Sequence, residues 1–298
     1  MRIAVTGSTG LIGSVLVSHL RAAGHETVSL VRRTPASPAE VQWDPARGQL
    51  NAKDLDGVNA VVHLAGAGIG DKRWSESYKR EILESSTKST ELLAQRITEV
   101  ENKPSVFLSG SAIGIYGPRG DEELSENATH GSTFLADVCE RWESATGPAQ
   151  AAGIRTAHLR TGIVLSTQGG ALKKQLPLFK LGLGGRFAKG DQWQSWISIT
   201  DEVRAITHLL TSSLEGPVNL TAPEPVTNGE FTRILASVVK RPALLPIPSF
   251  GPKLLLGGEL ADALLFTGQR VVPTALIRDG FAFTHSTLES ALRDLLSK

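Results

Sequence analysis

The glycine run Gly7-Ser8-Thr9-Gly10-Leu11-Ile12-Gly13 restricts the fold of this chain more than any other feature. It follows a short apolar strand pattern at residues 3–5 and precedes Leu11, Ile12, Val15, Leu16, His19, Leu20 and Ala23, which recur at helical spacing. Gly24 stands where a left-handed cap would end that helix. Residues 27–31 then read as a second buried strand. Strand, glycine turn, helix and strand within about 30 residues make a βαβ unit. Parallel strands need a crossover connection, so the unit commits the chain to an α/β sheet.

The rest of the sequence extends that pattern. Residues 60–65, 105–109 and 156–165 are further buried-strand candidates, and 78–100 and 132–145 carry helical periodicity. Alternation of this kind predicts a Rossmann-type doubly wound parallel sheet with helices on both faces. From 168 to 194 the chain is rich in glycine and predicts a long loop with a helical piece at 172–181, suited to a lid or a substrate wall. A strand at 196–199, a helix at 202–214 capped by Asp201, and a strand at 218–220 return to the core. Beyond Pro223, repeated prolines and capping boxes at Thr227 with Glu230 and at Ser286 with Glu289 predict a small, mostly helical C-terminal lobe. The expected division is 1–167 plus 195–222 as a nucleotide-binding domain, and 168–194 plus 223–298 as a substrate-side lobe.

Composition narrows the partners. The 298 residues hold 31 basic and 30 acidic side chains, a balance that gives no pull towards nucleic acid or an anionic membrane. The single cysteine, Cys139, excludes an intramolecular disulfide framework and predicts a cytoplasmic address. No apolar run approaches the roughly 20 residues of a membrane span, and the histidines show no metal-ligand spacing. A soluble monomer or homodimer with an unknown small-molecule substrate and no metal is expected.

The glycine loop carries the chemistry. Glycine lets backbone approach a pyrophosphate without a Cβ in the way, and the helix N-terminus behind it offers free N–H groups and partial positive charge. Cofactor contacts are therefore expected from Gly7, Ser8, Thr9, Gly10, Leu11, Ile12 and Gly13. Their G-x-x-G-x-x-G spacing is one residue longer at the first gap than the dehydrogenase fingerprint. About 20 residues on, an NAD site needs a carboxylate for the ribose, whereas arginine accommodates the 2′-phosphate of NADP. The sequence there is Leu30-Val31-Arg32-Arg33, which predicts NADP(H) held by forked guanidinium contacts from Arg32 and Arg33. His63-Leu64-Ala65-Gly66 supplies small residues for close approach to an adenosine, and Glu81 and Ser86 on the following helix are expected to face its ribose.

These motifs, with Ser109-Gly110-Ser111 through Ile115-Tyr116-Gly117 and Leu159-Arg160-Thr161-Gly162, resemble the extended short-chain dehydrogenase/reductases. Trp193-Gln194-Ser195-Trp196-Ile197, Asn219-Leu220-Thr221-Ala222-Pro223 and the closing Gly280-Phe281 segment are more closely similar to its atypical "epimerase family protein" subgroup. The resemblance implies further cofactor contacts from Leu64, Ala65, Gly66, Ser109, Thr161, Gly162 and Val164. It also implies a Tyr-x-x-x-Lys pair on the helix after the serine strand. With Glu143 matched to the acidic residue later in that helix, Leu135 stands at the tyrosine position and Cys139 at the lysine position; leucine has no proton to transfer, and a thiol is not a cation that could hold a phenolate near neutral pH. Ser111, or Ala112 in an alternative alignment, matches the serine that binds a substrate carbonyl. Ser111 and Tyr116 remain the candidate catalytic groups. Two readings follow: an NADP-dependent oxidoreductase or epimerase on a small carbonyl, alcohol or sugar nucleotide, and an NADPH-binding sensor with little turnover.

Overall fold

A computed structural model of the chain describes residues 1–297. Its centre is a sheet of seven strands that all pair in parallel. Strand β1 (Arg2–Thr6) passes through the glycine loop into helix α1 (Leu11–Ala22), and β2 (Glu26–Val31) returns beside it. Beyond β2 lies β3 (Glu40–Gln42), and the chain then crosses to β4 (Ala60–His63) on the other side of β1. Helix α2 (Glu76–Arg96), β5 (Val106–Ala112) and α3 (Phe134–Ser144) follow. The strands Arg155–Thr161 and Gly216–Leu220 complete that side of the sheet.

Because β2 and β4 flank β1 on opposite sides, the order reverses at β1 and a crevice opens at the carboxyl ends there. The glycine loop lies at that end. Ile3, Ala4 and Val5 in β1 and Val61 and Val62 in β4 are fully buried, since helices cover both faces, so these strands are continuous apolar runs without alternation. One core layer gathers Leu16, Leu20, Leu159, Ile206 and Leu292, and the other gathers Leu55, Leu93, Ile97 and Phe107. No helix among the described residues is long and apolar enough to cross a membrane.

Several local expectations give way to tertiary contacts. The run at 156–165 is two strands: after Thr161 the chain leaves the main sheet, and Ile163–Leu165 pairs with Trp196–Ser198. Gly162 is the crossing point, where a Cβ would lie 2.5 Å from the Ser195 carbonyl oxygen. Asp201 does not cap the next helix. Ser198 does, accepting from Asp201 N–H at 3.1 Å, while the Asp201 carboxylate takes the N–H groups of Thr284 and His285 at 2.9 and 2.8 Å. That helix, Ile199–Leu209, therefore starts earlier than expected and ties down the C-terminal segment. The box at Thr227 and Glu230 forms, but the last helix, Leu288–Leu296, is capped by Thr287 in extended backbone and not by Ser286. The C-terminal segment is stitched back over the carboxyl edge of the sheet, with Arg270–Val271 pairing with Glu123–Leu124.

Candidate functional site: a glycine-loop cleft

The loop geometry accounts for each glycine. Gly7 has φ +66°, and a Cβ there would meet the Leu64 carbonyl oxygen at 2.7 Å, so β1 and β4 can come this close only with hydrogen at that position. A Cβ on Gly13 would lie 2.1 Å from the Gly7 carbonyl oxygen. Gly10 caps α1 with no side-chain hydrogen bond, and no acidic residue occupies the first turn. The first N–H groups of the helix are thus left for an incoming anion. Gly10 is exposed, and Gly7, Ser8, Leu11 and Ile12 are half-buried around it. The cradle is made of backbone packed too closely at Gly7 and Gly13 for any side chain.

Beneath it lies a polar clasp. Thr6 Oγ1 accepts from the Leu64 and Ala65 N–H groups at 3.0 and 3.1 Å and lies 2.7 Å from His63 Nδ1. With its lone pairs engaged by two donors, the Thr6 hydroxyl donates to Nδ1, which leaves the His63 proton on Nε2, facing Ser89 Oγ at 3.2 Å. Burial lowers the His63 pKa to about 3, so the ring is neutral. Thr6, His63 and Ser89 together fix the Leu64-Ala65-Gly66 backbone at the crevice. This arrangement was not read from the sequence, although a Thr and a His ending adjacent parallel strands were the available signal.

The two arginines after β2 differ. Arg33 grips Glu40 through both terminal nitrogens, at 2.9 and 2.6 Å, and that bond raises its pKa. Arg32 is exposed and has no side-chain partner among the described residues, so it is the guanidinium available to a phosphate. Glu81 is exposed on α2 and pairs with Lys72 at 3.4 Å, away from the lining of the cleft. Ser86 does reach the cleft, with its hydroxyl bonded to the Ile82 carbonyl at 3.1 Å.

A cavity of about 370 Å³ continues from the crevice under the C-terminal segment. Leu64, Gly66, Thr161 and Gly162 line it on the sheet side. Val164 is half-buried one strand away, paired with Ile197, and Ser109 is fully buried inside β5. Leu135 and Cys139 both face the cavity, which places the expected tyrosine and lysine positions on its wall. Burial pushes the Cys139 thiol up to about 12, with the Glu143 charge adding to it. It is a thiol and not a thiolate at neutral pH. Among the described residues, no Lys, Arg, His, Asp or Glu lines this cavity.

Ser111 and Tyr116 point elsewhere. Ser111 donates to Glu143 Oε1 at 2.7 Å, and Arg160 grips both oxygens of the same carboxylate at 2.8 and 2.9 Å. Arg160 also donates to the Tyr116 hydroxyl at 2.9 Å, which donates to Asn219 Oδ1 at 2.7 Å. Asn219 in turn donates to the Val272 carbonyl at 3.0 Å. Burial pushes Glu143 up, but the Arg160 hydrogen bonds and charge outweigh it and hold the carboxyl below its ordinary range. Tyr116 is fully buried and its pKa is raised by that burial. The network joins β5, α3, two sheet strands and the C-terminal segment. Its hydroxyls are committed to that joint, which argues against the expected catalytic roles of Ser111 and Tyr116. Ala112, the alternative to Ser111, lines the cavity but carries no hydroxyl.

Comparison with known proteins agrees with the fold. Residues 3–221 match the NAD dependent epimerase/dehydratase family, and residues 247–295 match a domain of unknown function, DUF1731. An epimerase family protein of Mycobacterium leprae is 44% identical over 291 residues, covering 97% of this chain and 94% of the relative. The crystal structure of human epimerase family protein SDR39U1 with NADPH superposes with a TM-score of 0.92 at 32% identity, covering 100% of this chain and 99% of the human one. A nucleoside-diphosphate sugar epimerase from Corynebacterium glutamicum gives 0.81 at 37% identity, covering 99% of this chain and 58% of that one.

Proposed function

Since this chain belongs to the NAD dependent epimerase/dehydratase family, we propose that it binds NADPH across the glycine loop and uses the adjoining cavity for an oxidoreductase or epimerase reaction on a small carbonyl or alcohol. The observation that carries the reading is the cradle at Gly7, Gly10 and Gly13, where backbone fills the space a Cβ would take and a helix start is left uncapped. The human relative crystallised with NADPH supports the choice of cofactor. Bound there, the cofactor would supply a hydride.

In this reading the α1 N-terminus and the Gly7 to Gly13 loop hold the pyrophosphate, and Arg32 meets the 2′-phosphate while Arg33 braces the same turn through Glu40. Leu64, Ala65 and Gly66, fixed by Thr6, pass beneath the adenosine half, and Thr161 and Gly162 border the reactive end. The proposed division has residues 1–167 and 195–222 binding nucleotide and residues 168–194 and 223–298 closing the substrate side. It is supported by the Gly216–Leu220 strand in the main sheet and by the C-terminal segment over the cavity. The cytoplasmic setting expected from one free thiol belongs to the same reading.

One observation favours a second reading, a regulatory protein that binds NADPH with little turnover. Cys139 lines the cavity with its thiol held at about 12, and among the described residues no other titratable acid or base faces that space. The test is a screen of aldehydes, ketones and nucleotide sugars for NADPH oxidation by the purified protein. Turnover on any compound supports the enzyme, whereas saturable NADPH binding without turnover across the panel supports the regulator.

A further inference from the structure

We infer that the cavity takes an uncharged, mostly apolar carbonyl or alcohol, and that nucleoside-diphosphate sugars are excluded from it. The inference rests on the cofactor reading above and narrows the substrate of that same site. Its basis is the charge and hydrogen-bond state of the wall. Leu135, Val138, Ile69, Leu264 and the Trp193 ring supply an apolar surface, and no lining side chain among the described residues carries a charge.

A diphosphate link carries about two negative charges at neutral pH, and burying an ion without a partner costs several kcal/mol. Phosphate sites meet that cost with Arg, Lys or free backbone N–H groups. The hydroxyls here are already committed. Thr161 donates to Glu202, Ser195 to the Gln269 carbonyl, Thr267 to the Asp262 carbonyl and Ser86 to the Ile82 carbonyl. The Gln192 amide donates to the Leu265 carbonyl. Three neutral side-chain donors remain, the amides of Gln194 and Gln269 and the buried indole N–H of Trp142, which line the cavity without a hydrogen-bond partner among the described residues. An amide can donate to a carbonyl or accept from a hydroxyl, but it cannot neutralise a phosphate.

The neighbouring cations do not change this balance. Arg270 stacks on the Trp193 ring at 4.8 Å and pairs with Glu123 at 3.4 Å. Arg186, Lys189, Arg233 and Arg241 surround a separate concavity that shares no lining residue with this one. The charge-free wall, its two idle amides and the Trp142 indole N–H select a neutral ligand with one or two oxygen atoms on an apolar frame.

The experiment first confirms NADPH binding by its fluorescence, then titrates the loaded protein with 2-acetylnaphthalene, with 6-acetyl-2-naphthoate and with UDP-glucose, reading the change in cofactor emission. The neutral ketone should bind at least about tenfold more tightly than its carboxylate, with no response to UDP-glucose. In Leu264→Arg the ketone to carboxylate gap should shrink or invert. Equal or tighter binding of the carboxylate or of UDP-glucose by the parent overturns the inference, as does failure of the ketone to bind. If NADPH itself does not bind, the cofactor reading falls. The ketone and carboxylate are then titrated into the cofactor-free protein by ligand-observed NMR, where the same gap is expected and its absence is decisive.

Discussion

Glu202 should set a falling limb on the stability of this protein above neutral pH. It is fully buried near the start of the Ile199–Leu209 helix, with Oε1 accepting from Thr161 at 3.0 Å and Oε2 without a partner. Burial raises its pKa from 4.5 to about 8, against a smaller lowering from the Thr161 hydrogen bond. The folded state thus keeps a proton that the unfolded chain releases above 4.5. Stability from this group is fully present below 4.5 and is lost as pH rises towards and through 8. The slope between those values is about 1.4 kcal/mol per pH unit.

Glu202→Gln removes the titration and keeps the shape and the acceptor for Thr161. Its stability relative to the parent should therefore climb by roughly 3 to 4 kcal/mol between pH 5 and pH 8, after allowing for partial ionisation at each end. Urea unfolding of both proteins across that range measures the difference, in which every other titrating group cancels. Parallel profiles, or a gain that shrinks with rising pH, would refute the assignment of a protonated, buried Glu202.

His63 should work in the opposite direction: its folded pKa is lowered from 6.5 to about 3, so stability falls as pH drops below 6.5, and His63→Gln should flatten that acid limb in the same unfolding assay. Glu143→Ala strands the buried Arg160 guanidinium and should cost on the order of 3 to 5 kcal/mol; a loss below about 1 kcal/mol would mean the network is not a structural joint. Cys139, with its thiol at about 12, should resist iodoacetamide at pH 8 in the native protein and react once it is unfolded in urea. Rapid native alkylation would contradict that environment.

The nucleotide half of the fold was legible because its signals are local. Strand, glycine turn and helix follow one another within a short stretch, and Gly24 closes α1 with φ +81° as its position suggested. The places where sequence reading failed are places where partners lie far along the chain. Ser198 and Asp201 both resemble caps for the same helix, and Ser198 serves because the 284–285 backbone engages the Asp201 carboxylate. Strand Glu40–Gln42 is too short and too polar to announce itself and is held by pairing with β2.

The pair of arginines read alike in sequence, and only the approach of Glu40 separates them. Ser111 and Tyr116 carried the right chemistry, but Glu143 and Arg160 had claimed them. An arginine within a central parallel strand was the available sign, since such a strand is covered on both faces and a buried guanidinium requires a carboxylate partner. Leu135 and Cys139 were placed by spacing along one helix, and both do line the cavity.

In the proposed site the glycine loop and Arg32 together hold NADPH. Titration of the parent and of Arg32→Ala with NADPH and with NADH tests it most directly. The parent should prefer NADPH, Arg32→Ala should weaken NADPH by about tenfold or more through loss of a charge-assisted contact while leaving NADH unchanged, and Arg33→Ala should have a smaller effect. Equal binding of the two cofactors by the parent, or an equal loss of both in Arg32→Ala, would contradict it.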